Sequence, residues 1–160
     1  MSKQHETLSR LSYAELGKTM TALTDDELVE LLNSKSVKVG DTAASLLSTR
    51  NRIDVVLQGF ARGQVTTRNG KMRVVYIVGR KHNTNAAMDV LMTLVKDRVF
   101  DVADSALFAI VKVGGSTVRG KLAELQQSPD VIPSIRPRIE RALKAIDEND
   151  PRVYSPNFGG

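Results

Sequence analysis

Apolar residues recur at intervals of three and four along nearly the whole chain, strict alternation is absent, and turn signals fall every ten to fifteen residues. That period predicts an all-α protein. Ser12-Tyr-Ala-Glu15 and Thr24-Asp-Asp-Glu27 read as capping boxes, and Thr84, Ser116 and Ser134 as single N-caps, because their side-chain oxygens can accept the free amides of a first helical turn. Breaks at Asn33-Ser34, Arg62-Gly63, Arg80 to Asn83, Gly114-Gly115 and Gln127-Ser128-Pro129 end the pattern. The predicted helices are 12–22, 24–33, 37–49, 52–62, 69–81, 85–96, 99–112, 117–127 and 134–146.

One spacing repeats in alternate helices, apolar at the first position and apolar or small four, seven and mostly eight residues on. It reads Val39-Ala43-Leu46-Leu47, Met72-Tyr76-Gly79-Arg80, Val102-Ala106-Ala109-Ile110 and Ile135-Ile139-Ala142-Leu143, with steps of 33, 30 and 33 residues. Each step is the length of two short helices with their turns. Small residues at Ala43, Gly79, Ala106 and Ala109 would let neighbouring helices approach closely. Over residues 24–146 the pattern resembles the HEAT-repeat family, whose second helix commonly reads apolar-Arg-x-x-Ala-x-x-Ala-Leu after an Asp-containing turn, as in Asp97 to Ile110. The family's Arg position holds Arg73 and Arg136 in two copies, and Gly40 and Ala103 in the others. The resemblance implies an α-solenoid of about four helical hairpins over residues 1–146, with an extra N-terminal helix and a non-helical tail, 147–160.

Charge is distributed in blocks. The net +5 divides into −2 over 1–49, +7 over 50–82, −1 over 83–130 and +1 over 131–160. The basic block is Arg50, Arg52, Arg62, Arg68, Lys71, Arg73, Arg80 and Lys81, opposed only by Asp54, and such asymmetry favours an anionic partner. Arginine dominates it, which suits planar, bidentate contacts with carboxylate or phosphate. Within the block, Gly63 to Gly70 holds two glycines and reads as a mobile contact loop.

Chemistry-bearing candidates are few. The chain has no Cys and two His, so disulfides, thiolate nucleophiles and Cys-ligated metal centres are excluded. His82 follows a basic helix end and reads as a partner of exposed carbonyls. Asp97, Asp101 and Asp104 lie at i, i+4 and i+7, a spacing that could gather a divalent cation but reads more simply as a solvated acidic face. His5-Glu6 is a single dipeptide near the N-terminus, whereas HEAT-like deoxyhypusine hydroxylases use paired ones. Gly40-Asp41, Gly70-Lys71 and Gly114 to Thr117 complete no P-loop. No cofactor or metal is expected.

A curved surface with a charge block and no catalytic constellation reads as a binding surface. The expectation is a cytoplasmic, non-enzymatic module without a membrane span. Its basic block engages an acidic protein, as in the immunity proteins that small HEAT-like chains resemble. The alternative is a nucleic-acid-binding protein whose Arg block tracks phosphates, like HEAT-like alkylpurine DNA glycosylases, although the chain has no Trp to stack on a base. Arg73 has a competing reading as a scaffold residue. The tail contains Tyr154 and Phe158, which read as a cap over the last hairpin.

Overall fold

The computed structural model describes residues 3–80 and 84–155, of which Lys3 is placed by its backbone alone. It is all-α: ten α-helices, two short 3-10 turns and no strand among the described residues. They are α1 (Lys3–Ser9), α2 (Tyr13–Met20), α3 (Asp25–Leu31), α4 (Val37–Thr49), α5 (Ile53–Ala61), α6 (Arg68–Gly79), α7 (Asn85–Val95), α8 (Phe100–Val113), α9 (Ser116–Gln126) and α10 (Arg136–Asp147). All nine predicted helices are present, each bound within two residues. None of the described helices is long and apolar enough to cross a membrane.

Helix α1 is the addition. Its sequence, KQHETLS, is polar apart from Leu8, so it carries no periodic signal. Tertiary contacts hold it instead: Leu8 is buried, and His5 Nε2 shares a hydrogen bond with the fully buried Ser34 hydroxyl, which also accepts the Ser36 amide.

Both capping boxes form, Ser12 with Glu15 and Thr24 with Glu27. Thr84 caps α7, and Ser36 caps α4. Ser116 and Ser134 are not caps: Gly115 precedes α9 with no side-chain bond, and Ser134 lies inside a 3-10 turn, Pro133–Ile135. The tail departs from the expected irregular chain by a second 3-10 turn, Pro151–Val153, in which the Asp150 carboxylate accepts the Arg152 amide.

The chain divides into two compact units, residues 1–77 and 78–160. In the first, α4 is the hub, with α1, α2, α3 and α5 packed on it and α3 also against α5. Its core is Leu16, Met20, Leu28, Val29, Leu32, Val39, Ala43, Leu47 and Val56. In the second, α8 lies between α7 and α10, and α10 packs on α9. Ala103, Ala106 and Ala109 on α8 are buried, and a Cβ on Gly79 would come within 3.1 Å of the Ala109 methyl, so small residues do mark close approach there.

Arginines brace the turns. Arg50 donates to the carbonyls of Leu23 (3.0 Å) and Thr21 (2.8 Å) and to Asp25 (2.9 Å). Arg73 donates to the carbonyls of Leu32 (2.7 Å) and Ser34 (2.8 Å) and to Asp41 (3.1 Å). Arg136 does the same for Gln126, the last residue of α9, and for Ser128 beyond it. The last carbonyls of a helix have no intrahelical donor, and the guanidinium fork supplies two at once.

The acidic face expected at Asp97, Asp101 and Asp104 does not form as a solvated stripe. Asp97 precedes α8 and accepts the Val99 amide, whereas Asp104 is fully buried. It is bound by Arg138 Nε at 2.9 Å and by the Tyr154 hydroxyl. Tyr154 is buried, stacks on Phe108 with centroids 6.2 Å apart, and lies under the Arg138 guanidinium at 4.4 Å. Burial, followed by the hydrogen bond to Asp104, pushes its hydroxyl well above the ordinary value of 10, so it remains a donor. The tail thus caps the second unit through Tyr154; Phe158 lies outside the described residues.

Candidate functional site

The eight basic residues 50–81 occupy different environments. Arg50 and Arg73 are held by backbone carbonyls, and the Arg73 side chain is only 11% exposed. They belong to the scaffold. Arg52 is exposed and pairs with Asp25 at 3.1 Å and Asp54 at 3.6 Å. That pairing accounts for Asp54, the one acidic residue of the block. Arg62 and Arg68 are exposed and Lys71 is half-buried, and these three flank a single turn between α5 and α6. Arg80 is exposed beyond the C-terminus of α6, and Lys81, like His82, lies outside the described residues.

The turn flanked by Arg62 and Arg68 is tied down rather than loose. Helix α6 begins at Arg68, so the connection shortens to 62–67. Val65 is buried beneath it. Asn33 then grips the backbone: its Nδ2 donates to Gln64 O at 2.7 Å, and its Oδ1 accepts the amides of Thr66 (3.0 Å) and Thr67 (3.2 Å). A half-buried amide that binds three main-chain atoms of one loop fixes it far better than composition suggests.

The same stitching continues to the next turn. Asn33 itself stands in the α3–α4 connection, and Lys38, one residue into α4, donates from Nζ to Leu11 O at 2.7 Å in the α1–α2 connection. The α1–α2, α3–α4 and α5–α6 turns, alternate turns of the chain, are therefore stitched side by side along one edge of the first unit. Residues 9–13, 33–38 and 62–71 that build this edge and its flanks include six basic residues, Arg10, Lys35, Lys38, Arg62, Arg68 and Lys71, and no acidic one. Of the carboxylates within three residues of these segments, Glu6 and Glu30 are exposed and two others are engaged. Glu15 accepts the Ser12 amide, whose hydrogen bond holds its carboxyl below the usual glutamate value, and Asp41 pairs with Arg73.

Two concavities are also present. In the second unit a groove of about 510 Å3 is lined by residues of α7 and α9 and of the turns that follow them, with Met92 and Leu125 as its apolar members. Asp89 and Lys121 face each other across it at 3.4 Å, and Lys96 and Glu124 add one further charge of each sign. In the first unit a cleft of about 230 Å3 is lined by His5, Leu23, Glu27 and Glu30. Neither gathers a nucleophile with a base. The Ser34 hydroxyl that meets His5 is fully buried. No group of three His, Asp or Glu side chains is arranged to hold a metal among the described residues.

No protein-family model matches the chain, and neither a curated protein nor a solved structure matches it. The surface must speak for itself. The basic block read from the sequence contains Arg62, Arg68 and Lys71 of this edge but not Arg10, Lys35 and Lys38, which sit in a stretch whose net charge is −2. The signal available was positional: all three fall at predicted helix ends, where turns meet.

Proposed function

We propose that the protein is a non-enzymatic binding module that uses the basic edge of its first unit, centred on Arg62 and Arg68, to engage an acidic protein, as an immunity-type inhibitor would. The carrying observation is the three-turn edge, held by Asn33 and Lys38, with six basic residues and no acidic one. A rigid, single-sign edge steers an anionic partner and fixes its register, and its arginines can bind carboxylates in pairs.

We read the helix pairs as HEAT-like repeats. Two long-range ion pairs support that reading. Asp41 and Asp104 occupy the same place in the repeat, two residues after Val39 and Val102, and each is met by an arginine from the next second helix, Arg73 and Arg138. Arg73 and Arg136, which share the repeat's Arg position, both bind carbonyls around a helix C-terminus.

The deciding experiment is affinity capture from the native host, with and without nuclease, comparing the wild type with Arg62→Glu/Arg68→Glu. An acidic protein retained by the wild type after nuclease treatment and lost by the variant is the expected result. Capture that nuclease abolishes would replace this reading with the nucleic-acid one.

A further inference from the structure

Four large apolar side chains among the described residues are exposed, Tyr13, Val37, Tyr76 and Val99, and the first two are the most exposed. These two are 64% and 63% exposed, and each stands at the first position of its helix, α2 and α4. Neither is needed for the caps, which are made by Ser12 and Ser36. Lys38, the neighbour of Val37, carries its ammonium 5.9 Å from the Tyr13 ring centroid while it donates to Leu11 O. The aromatic ring therefore stands beside a lysine that is itself anchored, at the end of the basic edge.

From this arrangement we infer that Tyr13 and Val37 are the apolar anchors of the docking surface, and that the partner segment they receive has an apolar side chain flanked by Asp or Glu. The inference rests on the acidic-partner reading and names the recognition element that charge alone lacks. Protein interfaces concentrate affinity in a few aromatic or aliphatic anchors surrounded by polar residues, and tyrosine serves well because it orders only two torsions. Charge supplies the rest of the argument. Arg10, Lys35 and Lys38 surround the two side chains in sequence, and residues 9–13 and 33–38 hold no carboxylate to compete with the partner's. A basic segment would be repelled, and a purely apolar one would leave those cations without counter-charge.

The test uses two synthetic peptides of equal negative charge titrated into the full-length protein and followed by backbone amide NMR. One contains Leu and Phe between glutamates; in the other, serines replace them. The apolar-acidic peptide is expected to bind about tenfold tighter and to move the amides of 11–13 and 36–38. Tyr13→Ser/Val37→Ser should erase that advantage while leaving the all-polar peptide's affinity unchanged, a result that also shows the variant folded. Equal affinity of the two peptides for the wild type, or an advantage that survives the double substitution, overturns the anchor assignment alone. A wild-type protein that binds neither peptide at millimolar concentration overturns the acidic-partner reading together with it.

Discussion

The guanidinium of Arg73 occupies the space in which a side chain on Gly40 would begin. A Cβ at Gly40 would fall inside the guanidinium, whose three hydrogen-bonding partners leave it nowhere equivalent to go. Gly40 is in the interior of α4, where alanine ordinarily stabilises by about 0.5–1 kcal/mol. Here Gly40→Ala should destabilise, by about 1–3 kcal/mol, because Arg73 must abandon two backbone carbonyls and Asp41. In an Arg73→Ala background the sign should reverse, and Gly40→Ala should stabilise. Urea denaturation of the four variants checks this, and a destabilising Gly40→Ala in both backgrounds would refute it.

Asp104 should reveal itself as the most costly charge to strand. It is fully buried, and Arg138→Ala would remove the guanidinium 2.9 Å from it, a loss of about 3–5 kcal/mol. Tyr154→Phe removes one donor and keeps the ring on Phe108, and should cost about 1–2 kcal/mol. Asp104→Leu with Arg138→Met should recover most of the Arg138→Ala loss. Thermal melts rank the three; a Tyr154→Phe effect larger than that of Arg138→Ala would contradict the ordering.

Acid should weaken the first unit through its capping boxes. Glu15 and Glu27 have pKa values lowered from 4.5, first by the backbone amides of Ser12 and Thr24 and then by their hydroxyls. Groups with depressed folded pKa values stabilise above the unfolded value, and that contribution disappears as pH falls through the folded one. Stability should therefore decline below about pH 4.5, and Glu15→Gln/Glu27→Gln should flatten the decline. Circular dichroism melts from pH 7 to 3 measure it. An unchanged acid slope in the double variant would show that the boxes contribute nothing.

Salt separates the two partner classes. A protein complex held by apolar anchors should retain most of its affinity between roughly 50 and 200 mM salt, since rim charges act mainly on association. A complex with 6–10 phosphate contacts would lose about 10³–10⁵ over the same range. Binding to generic duplex DNA is expected to be weak and strongly suppressed by salt. Sub-micromolar DNA binding at 150 mM salt, lost in Arg62→Glu/Arg68→Glu, would reverse the assignment.

Helices α2 to α10 were legible because each buries a stripe, and a stripe writes itself into the sequence at three-four spacing. Helix α1 was not, since its place depends on burying Leu8 and on His5 reaching Ser34, a contact 29 residues apart that no local window contains. Asp104 was misread for the same reason: its partners, Arg138 and Tyr154, lie 34 and 50 residues away. The basic edge was half legible. Block charge found Arg62 and Arg68 but also counted Arg50 and Arg73, whose cations serve turn carbonyls. It concealed Arg10, Lys35 and Lys38 beneath acidic residues, including Glu15 and Asp41, whose carboxylates are held by an amide and by Arg73. Sequence sums charge along the chain, whereas a partner meets it turn by turn.

Asn33 shapes its neighbouring loop chiefly by binding main-chain atoms, the Gln64 carbonyl and the amides of Thr66 and Thr67. Main-chain atoms are common to almost every residue type. The shape of the loop is therefore inherited from a residue outside it, and Arg62, Thr66 and Arg68 are exposed and can be exchanged without rewriting that shape. On the binding role proposed for this edge, descendants of the chain would change allegiance from one partner to another by altering those three side chains, provided that position 33 keeps its amide.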